Sequence, residues 1–148
     1  MREVVLVLLT SASPISELRG GIPLAMYLGF SPLEAYALAV FGNALPIPVI
    51  LLVLNKIDRL IAALPMIGKI YNRCVDLALK RKSLVEKYGY LGLMFFVSIP
   101  LPVTGAWTGT LIAFLLRMNP LKAILFIYLG ILIAGVIVLS LSLVPTLL

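Results

Sequence analysis

The chain has 148 residues, 62% hydrophobic and only 12% charged, where a soluble domain carries about 25% charged residues. That deficit, with its long apolar runs, makes it an integral membrane protein. A single cysteine, Cys74, excludes an internal disulfide, and the absence of histidine excludes both a Cys/His metal site and a Ser/His/Asp triad. The net charge of +6 would suggest nucleic acid in a soluble protein. Here the basic residues cluster in one loop and have no aromatic interleaving, so membrane topology explains them better and no nucleic-acid partner is expected.

The N-terminus, Met1-Arg2-Glu3 and then Val4 to Ala12, has the outline of a signal peptide. Cleavage near Ala12 would leave Glu17 and Arg19 at the new end with no soluble domain to follow, so a membrane segment is the better reading. Val4 to Ala12 is about 13 Å long as helix, roughly half of a ~30 Å hydrocarbon core. Pro14, Gly20, Gly21 and Pro23 then break the helix. Ile22 to Phe30 is a second apolar piece. Two half-membrane helices with a polar tip between them predict a re-entrant hairpin; the rival is one kinked spanning helix.

Ser31 and Pro32 form an N-cap and first helical position. Leu33 to Leu54 is then about 33 Å long and spans. Asn43, Pro46 and Pro48 inside it must face protein or a water-filled cavity. The stretch from Lys56 to Lys87 is the charge-rich part. Ile67, Ile70, Tyr71, Cys74, Val75 and Ala78 share one helical face against Lys69, Arg73, Asp76 and Lys80. This predicts an amphipathic interfacial helix, with a solvated cytoplasmic loop as the plainer reading. Tyr90 to Ile99 is again a short apolar piece, broken by Pro100 to Gly109. Thr110 to Leu116 follows, and Asn119-Pro120 opens a long apolar run to Val144.

The halves align without gaps at an offset of 88. Pro14 meets Pro102, Ser16 meets Thr104, Gly21 meets Gly109, Pro32-Leu33 meets Pro120-Leu121, and Gly42 meets Gly130. The proline and glycine matches mark the same breaks in the same order, which is the mark of an internal duplication. A non-crossing hairpin plus one spanning helix per half inverts the second half. That places the Lys56–Lys87 loop, Arg117 and Lys122 on one, cytoplasmic, side. The expected fold is all-α integral membrane: an inverted repeat of two re-entrant helical hairpins, each followed by a transmembrane helix, plus an interfacial amphipathic helix. Residues 1–148 form a single membrane domain, with repeat 1 at 1–56, the linker at 57–88 and repeat 2 at 89–148. The protein is expected in the cell membrane as a multi-pass protein with both termini outside.

Glu17 and Arg19 lead the candidates. Each costs about 2.5–3.5 kcal/mol at the midplane, tolerable only against a partner, a cavity or water. They form a mutual ion pair, or Arg19 caps carbonyls left bare by Gly20 and Pro23; on the functional reading, Arg19 binds an anionic headgroup while Glu17 takes a proton or cation. Backbone amides near Gly20-Gly21 at a half-helix N-terminus would add anion affinity. The second tip carries no charge. Thr104, Gly105, Trp107 and Thr108 there line the same cavity, or the threonines satisfy broken-helix carbonyls and Trp107 lies at an interface. Asn43 is a third contributor or a helix–helix hydrogen bond.

Glu17-Leu18-Arg19-Gly20-Gly21-Ile22-Pro23 resembles the E-L-R-G-(A/G)-I-P signature of the small multidrug export proteins, with Gly21 where alanine is common. Gly42-Asn43, Tyr88-Gly89-Tyr90 and Ile99 to Ala106 resemble that family's other blocks. The resemblance covers nearly the whole chain and implies drug export. The hairpin-plus-helix half is also similar, in architecture, to the DedA (VTT) family. That likeness implies ion-driven transport of polyprenyl-phosphate or phospholipid headgroups.

The expected function is therefore a small ion-coupled transporter moving an amphiphilic, anionic, lipid-like substrate between the tips. A proton-coupled exporter of cationic drugs is the alternative, and a non-transporting scaffold the second. No nucleophile–base pair points to an enzyme, and no cofactor is expected. Expected partners are membrane lipids, the amphiphilic substrate, a coupling proton or sodium ion, and a second copy of the chain, since polar tips cannot face lipid.

Overall fold

The computed structural model describes residues 1–61, 76, 82–101 and 104–144. The predicted amphipathic helix and Cys74 lie almost wholly outside the described residues. The described elements are α1 (Arg2–Ala12), α2 (Glu17–Tyr27), α3 (Pro32–Ala44), α4 (Pro46–Ile61), α5 (Ser83–Ser98), α6 (Ala106–Leu115) and α7 (Pro120–Leu143). All are helical.

α1 and α2 pack antiparallel, as paired burial shows: Val7 shares a small core with Ala25, and Ser11 abuts Gly21. Residues 13–16 make the reversal. The Ser16 hydroxyl donates to the Thr10 carbonyl at 2.6 Å, and the Glu17 N–H donates to the Ser13 carbonyl at 3.1 Å. The sequence places the second helix from Ile22, but α2 begins at Glu17 and takes Gly20, Gly21 and Pro23 into its interior. Glycine there costs about 1 kcal/mol relative to alanine. Close packing offsets that cost, because a Cβ on Gly21 would collide with Ser11 Oγ and lie 3.2 Å from Ala39 Cβ. α6 likewise starts at Ala106, four residues before the predicted start, and contains Gly109.

α3 opens on a capping box, in which Ser31 accepts from the Glu34 N–H while Glu34 accepts from the Ser31 N–H at 2.8 Å. Leu45 keeps helical angles (φ −57°, ψ −45°), so α3 runs into α4. Pro32–Leu54 is thus one apolar helix of 23 residues, about 35 Å long and enough to span. At Gly42 the α1 backbone comes so close that a Cβ would stand 2.8 Å from the Leu8 carbonyl oxygen. Small residues allow helices to approach this way in an apolar medium, where packing drives association.

α5 is bent back on itself at Gly89 (φ 59°, ψ −132°), a conformation that glycine adopts without steric cost. The reversal brings the Leu84 backbone against Gly92, so Tyr90 to Ser98 acts as a separate helix. Beyond Lys122 in its first turn, α7 carries no charged residue, and it is the second helix long enough to span, with 24 residues. Its buried face, Ala123, Ile127, Gly130, Ile131, Ala134 and Val138, repeats at helical spacing. Gly130 meets Val97 of α5, Gly135 meets Tyr36 of α3, and the Tyr36 hydroxyl donates to the Leu132 carbonyl at 3.1 Å.

The same local hydrogen bonds recur 88 residues apart. Leu28, Gly29 and Phe30 N–H groups donate to Leu24, Met26 and Ala25 carbonyls; Leu116, Arg117 and Met118 N–H groups donate to Ile112, Phe114 and Ala113 carbonyls. Ser31 caps α3 as Asn119 caps α7. Positive φ falls at equivalent sites too, at Glu17 and Gly105 and again at Gly29 and Arg117. Leu9, Val49, Phe95, Leu125 and Leu141 face outward. So much exposed aliphatic surface suits a hydrocarbon surrounding, not water.

Candidate functional site

Glu17 is the first residue of α2. It is held at φ 47°, a left-handed conformation that costs a non-glycine residue about 1–2 kcal/mol. Its side chain leaves its own helix and is 7% exposed. Oε1 accepts the Trp107 backbone N–H at 3.3 Å. Trp107 is the second residue of α6, whose own N-cap, Gly105, has no side chain. Glu17 thus caps α6 from the other half of the chain and sets a carboxylate on the positive end of that helix. Gly105 has φ 137° and ψ −170°, a region open essentially to glycine alone, and a Cβ there would occupy the place of the carboxylate.

A second bond ties the tips. The Trp107 indole N–H donates to the Ala12 carbonyl at 3.1 Å, one of the carbonyls that the end of α1 leaves without an intrahelical donor. The indole is therefore taken up between the tips.

Beside this contact lies a small cavity of ≈ 10 Å³, room for about one water molecule. Glu17, Arg19, Asn43, Thr104 and Gly105 line it, with apolar walls from Val97 and Ile131. Asn43 is 1% exposed and its Oδ1 is buried without a hydrogen-bond partner among the described residues. A buried polar atom left unpaired costs about 1–3 kcal/mol. Arg19 is half-buried and, among the described residues, has no ion-pair or hydrogen-bond partner. Among the described residues Glu17 and Arg19 make no direct salt bridge, although both line the cavity and the Arg19 charge acts on the Glu17 carboxylate, and no hydrogen bond from Arg19 to the carbonyls near Pro23 is formed.

The other predicted residues divide. Thr104 Oγ1 lies 2.6 Å from the Ile99 carbonyl and 2.8 Å from the Leu101 carbonyl, and accepts the Leu101 N–H at 3.1 Å. Its hydroxyl satisfies the broken backbone beside Pro100 while its body walls the cavity. Gly20 and Gly21 are helix interior packed toward Ser16 and Ser11, so the amides at the start of α2 belong to the turn at Glu17. Thr108 is half-buried and does not reach the cavity. Ser11 went unnoticed in the sequence. It is fully buried, its hydroxyl has no partner among the described residues, and it sits where α1, Gly21 and Gly42 converge. The one hint was a pair of hydroxyl residues, Thr10-Ser11, ending an aliphatic helix.

Chemically, the site offers a carboxylate, an orphaned amide oxygen and a guanidinium around one water-sized space. That fits a proton, a water or a small cation. It is far below the 300–1,000 Å³ of a small-molecule pocket.

No curated protein and no solved structure matches the chain. The family model described as "Putative small multi-drug export protein" matches residues 17–137, from Glu17 through most of α7. The match takes in every residue around the cavity, and the chain belongs to that family.

Proposed function

We propose that the protein is an ion-coupled membrane transporter whose coupling site is the contact between the two tips. The observation that carries this reading is Glu17: a buried carboxylate, at a strained backbone position, spanning from one helical hairpin to the first turn of the other. Strain of this kind is retained where the surrounding structure demands it, and it clusters at working sites. The halves are inverted repeats in this reading, with re-entrant hairpins entering from opposite faces, both termini outside and Lys56, Arg117 and Lys122 cytoplasmic. The recurring caps and helix ends support the duplication on which this reading rests.

The water-sized cavity makes this conformation a closed one. Admission of substrate requires the Glu17–Trp107 and Trp107–Ala12 bonds to separate. A proton or sodium ion taken up by Glu17, with Asn43 Oδ1 as second ligand, competes with the Trp107 N–H for the carboxylate and releases the latch. Arg19, at the cavity wall without a salt bridge among the described residues, then receives the anionic headgroup of an amphiphilic substrate. A second copy of the chain would cover Ile15, which is exposed at the first tip. A cation exporter is the second reading, favoured by the burial of Glu17 with no direct salt bridge among the described residues.

Reconstituted vesicles separate these. Under an imposed proton or sodium gradient, flux of a fluorescent anionic lipid analogue and of a cationic dye is followed. Arg19→Ala abolishes anionic flux in the first reading and spares dye flux in the second, while Glu17→Gln abolishes whichever is carried. If both variants transport as the wild type does, neither reading stands and the scaffold reading takes their place.

A further inference from the structure

Away from the tips, α4 and the α6–α7 corner enclose a groove of ≈ 740 Å³, a volume in the range of small-molecule and cofactor sites. Among the described residues its walls are Leu52, Phe114, Leu115, Met118 and Pro120, and its charged groups are Lys56 and Arg117. Two cations sit over an apolar trough. Among the described residues, neither has an acidic partner.

Arg117 carries a second, independent sign. It occupies the left-handed position that ends α6, at φ 50°. The same position ending α2 holds Gly29, at φ 90°, with the same three hydrogen bonds around it. Glycine there is free of steric cost, whereas an arginine is strained. The second half thus keeps a strained cation where the first half shows that glycine suffices. That places a guanidinium, rather than a hydrogen, at the rim of the groove.

We infer that this groove binds an anionic phospholipid of the surrounding membrane, with its phosphate between Lys56 and Arg117 and an acyl chain along Leu52, Phe114 and Leu115. Arginine and lysine are the natural receivers of a phosphate oxygen, and basic pockets between membrane helices take anionic headgroups. An apolar floor beside two cations suits an amphiphile, which fills both parts, better than a purely soluble anion, which fills one. This site is separate from the tips and holds whether or not the coupling reading of Glu17 is right.

Native mass spectrometry of the purified full chain, with phosphatidylglycerol and phosphatidylcholine added in equal amounts, tests it. The wild type retains phosphatidylglycerol preferentially. The double variant K56Q/R117G loses that preference by roughly 10–30-fold, the weight of two interfacial cations. R117G relieves strain, so the variant folds at least as well, and an unchanged or raised unfolding temperature confirms that. An excess of inorganic phosphate leaves most of the lipid in place. Equal retention of the two lipids by the wild type, unchanged preference in the double variant, or full displacement by phosphate would each overturn the proposal.

Discussion

The carboxylate of Glu17 lies against the α-carbon of Gly105, and these two residues occupy the same position in the two halves of the chain. Both have positive φ. One half supplies the acid and the other supplies the space for it. The charge at the tip contact is therefore one-sided, although the backbones that carry it correspond.

This relationship makes Gly105 the least replaceable residue at the site. Gly105→Ala meets both a forbidden backbone region and the carboxylate, and costs at least about 2 kcal/mol. Gly29→Ala is the control: its φ is also positive, but nothing lies within 4 Å of the added carbon, so only about 1–2 kcal/mol of strain applies. Thermal unfolding in mild detergent should rank Gly105→Ala well below Gly29→Ala. Equal unfolding temperatures would mean that the carboxylate is elsewhere.

The trans cap separates shape from charge. Glu17→Ala leaves the first turn of α6 without its acceptor and costs about 0.5–2 kcal/mol. Glu17→Gln keeps an acceptor oxygen and costs less than half of that, yet stops ion-coupled flux. Trp107 is the one tryptophan in the chain, so its emission reports directly on the contact. A spectrum unaffected by Glu17→Ala would remove Glu17 from the tip contact.

Ser11 and Gly42 meet at the same crossing but answer oppositely to alanine. Ser11→Ala removes a buried hydroxyl that has no partner and is neutral or stabilising by up to about 1 kcal/mol. Gly42→Ala drives a methyl toward the Leu8 backbone, which cannot rotate away, and costs about 1–3 kcal/mol. Destabilisation by Ser11→Ala would show that the hydroxyl is hydrogen-bonded.

Asn43 tests whether the orphaned amide serves the site. Asn43→Leu removes the unsatisfied oxygen, so stability is unchanged or higher by about 1 kcal/mol, while gradient-driven flux is lost. Lower stability with intact flux would instead make Asn43 a structural hydrogen bond.

Inversion of the repeats is read at the helix starts. Leu33 and Leu121 are equivalent and are 75% and 80% exposed. In a Cys74→Ser background, Leu33→Cys is labelled by an impermeant maleimide from outside and Leu121→Cys from the cytoplasm. Labelling of both from the same face rejects the inverted arrangement.

Much of the architecture is legible in the residues. Glycine, proline and capping residues are local signals, and they mark the starts of the two helices long enough to span, at Pro32 and Pro120, and the helix breaks near Pro14 and Pro100. Local signals mislead where tertiary packing overrides them. Gly20, Gly21 and Gly109 read as helix breakers, yet each lies inside a helix, because neighbouring side chains occupy the space that their missing Cβ leaves.

Composition and spacing alone determine that the chain is an apolar helical protein, that its helices break in a pattern repeated after 88 residues, and that Glu17 and Arg19 are its outlying charges within apolar sequence. Only the tertiary structure decides what those charges face. Glu17 reaches a helix start ninety residues away, Arg19 is left without an ion-pair partner among the described residues, and the indole of Trp107 is tied to α1. The reason is physical: breaks and caps depend on neighbours along the chain, whereas the partner of a buried charge depends on which distant backbone packing brings beside it.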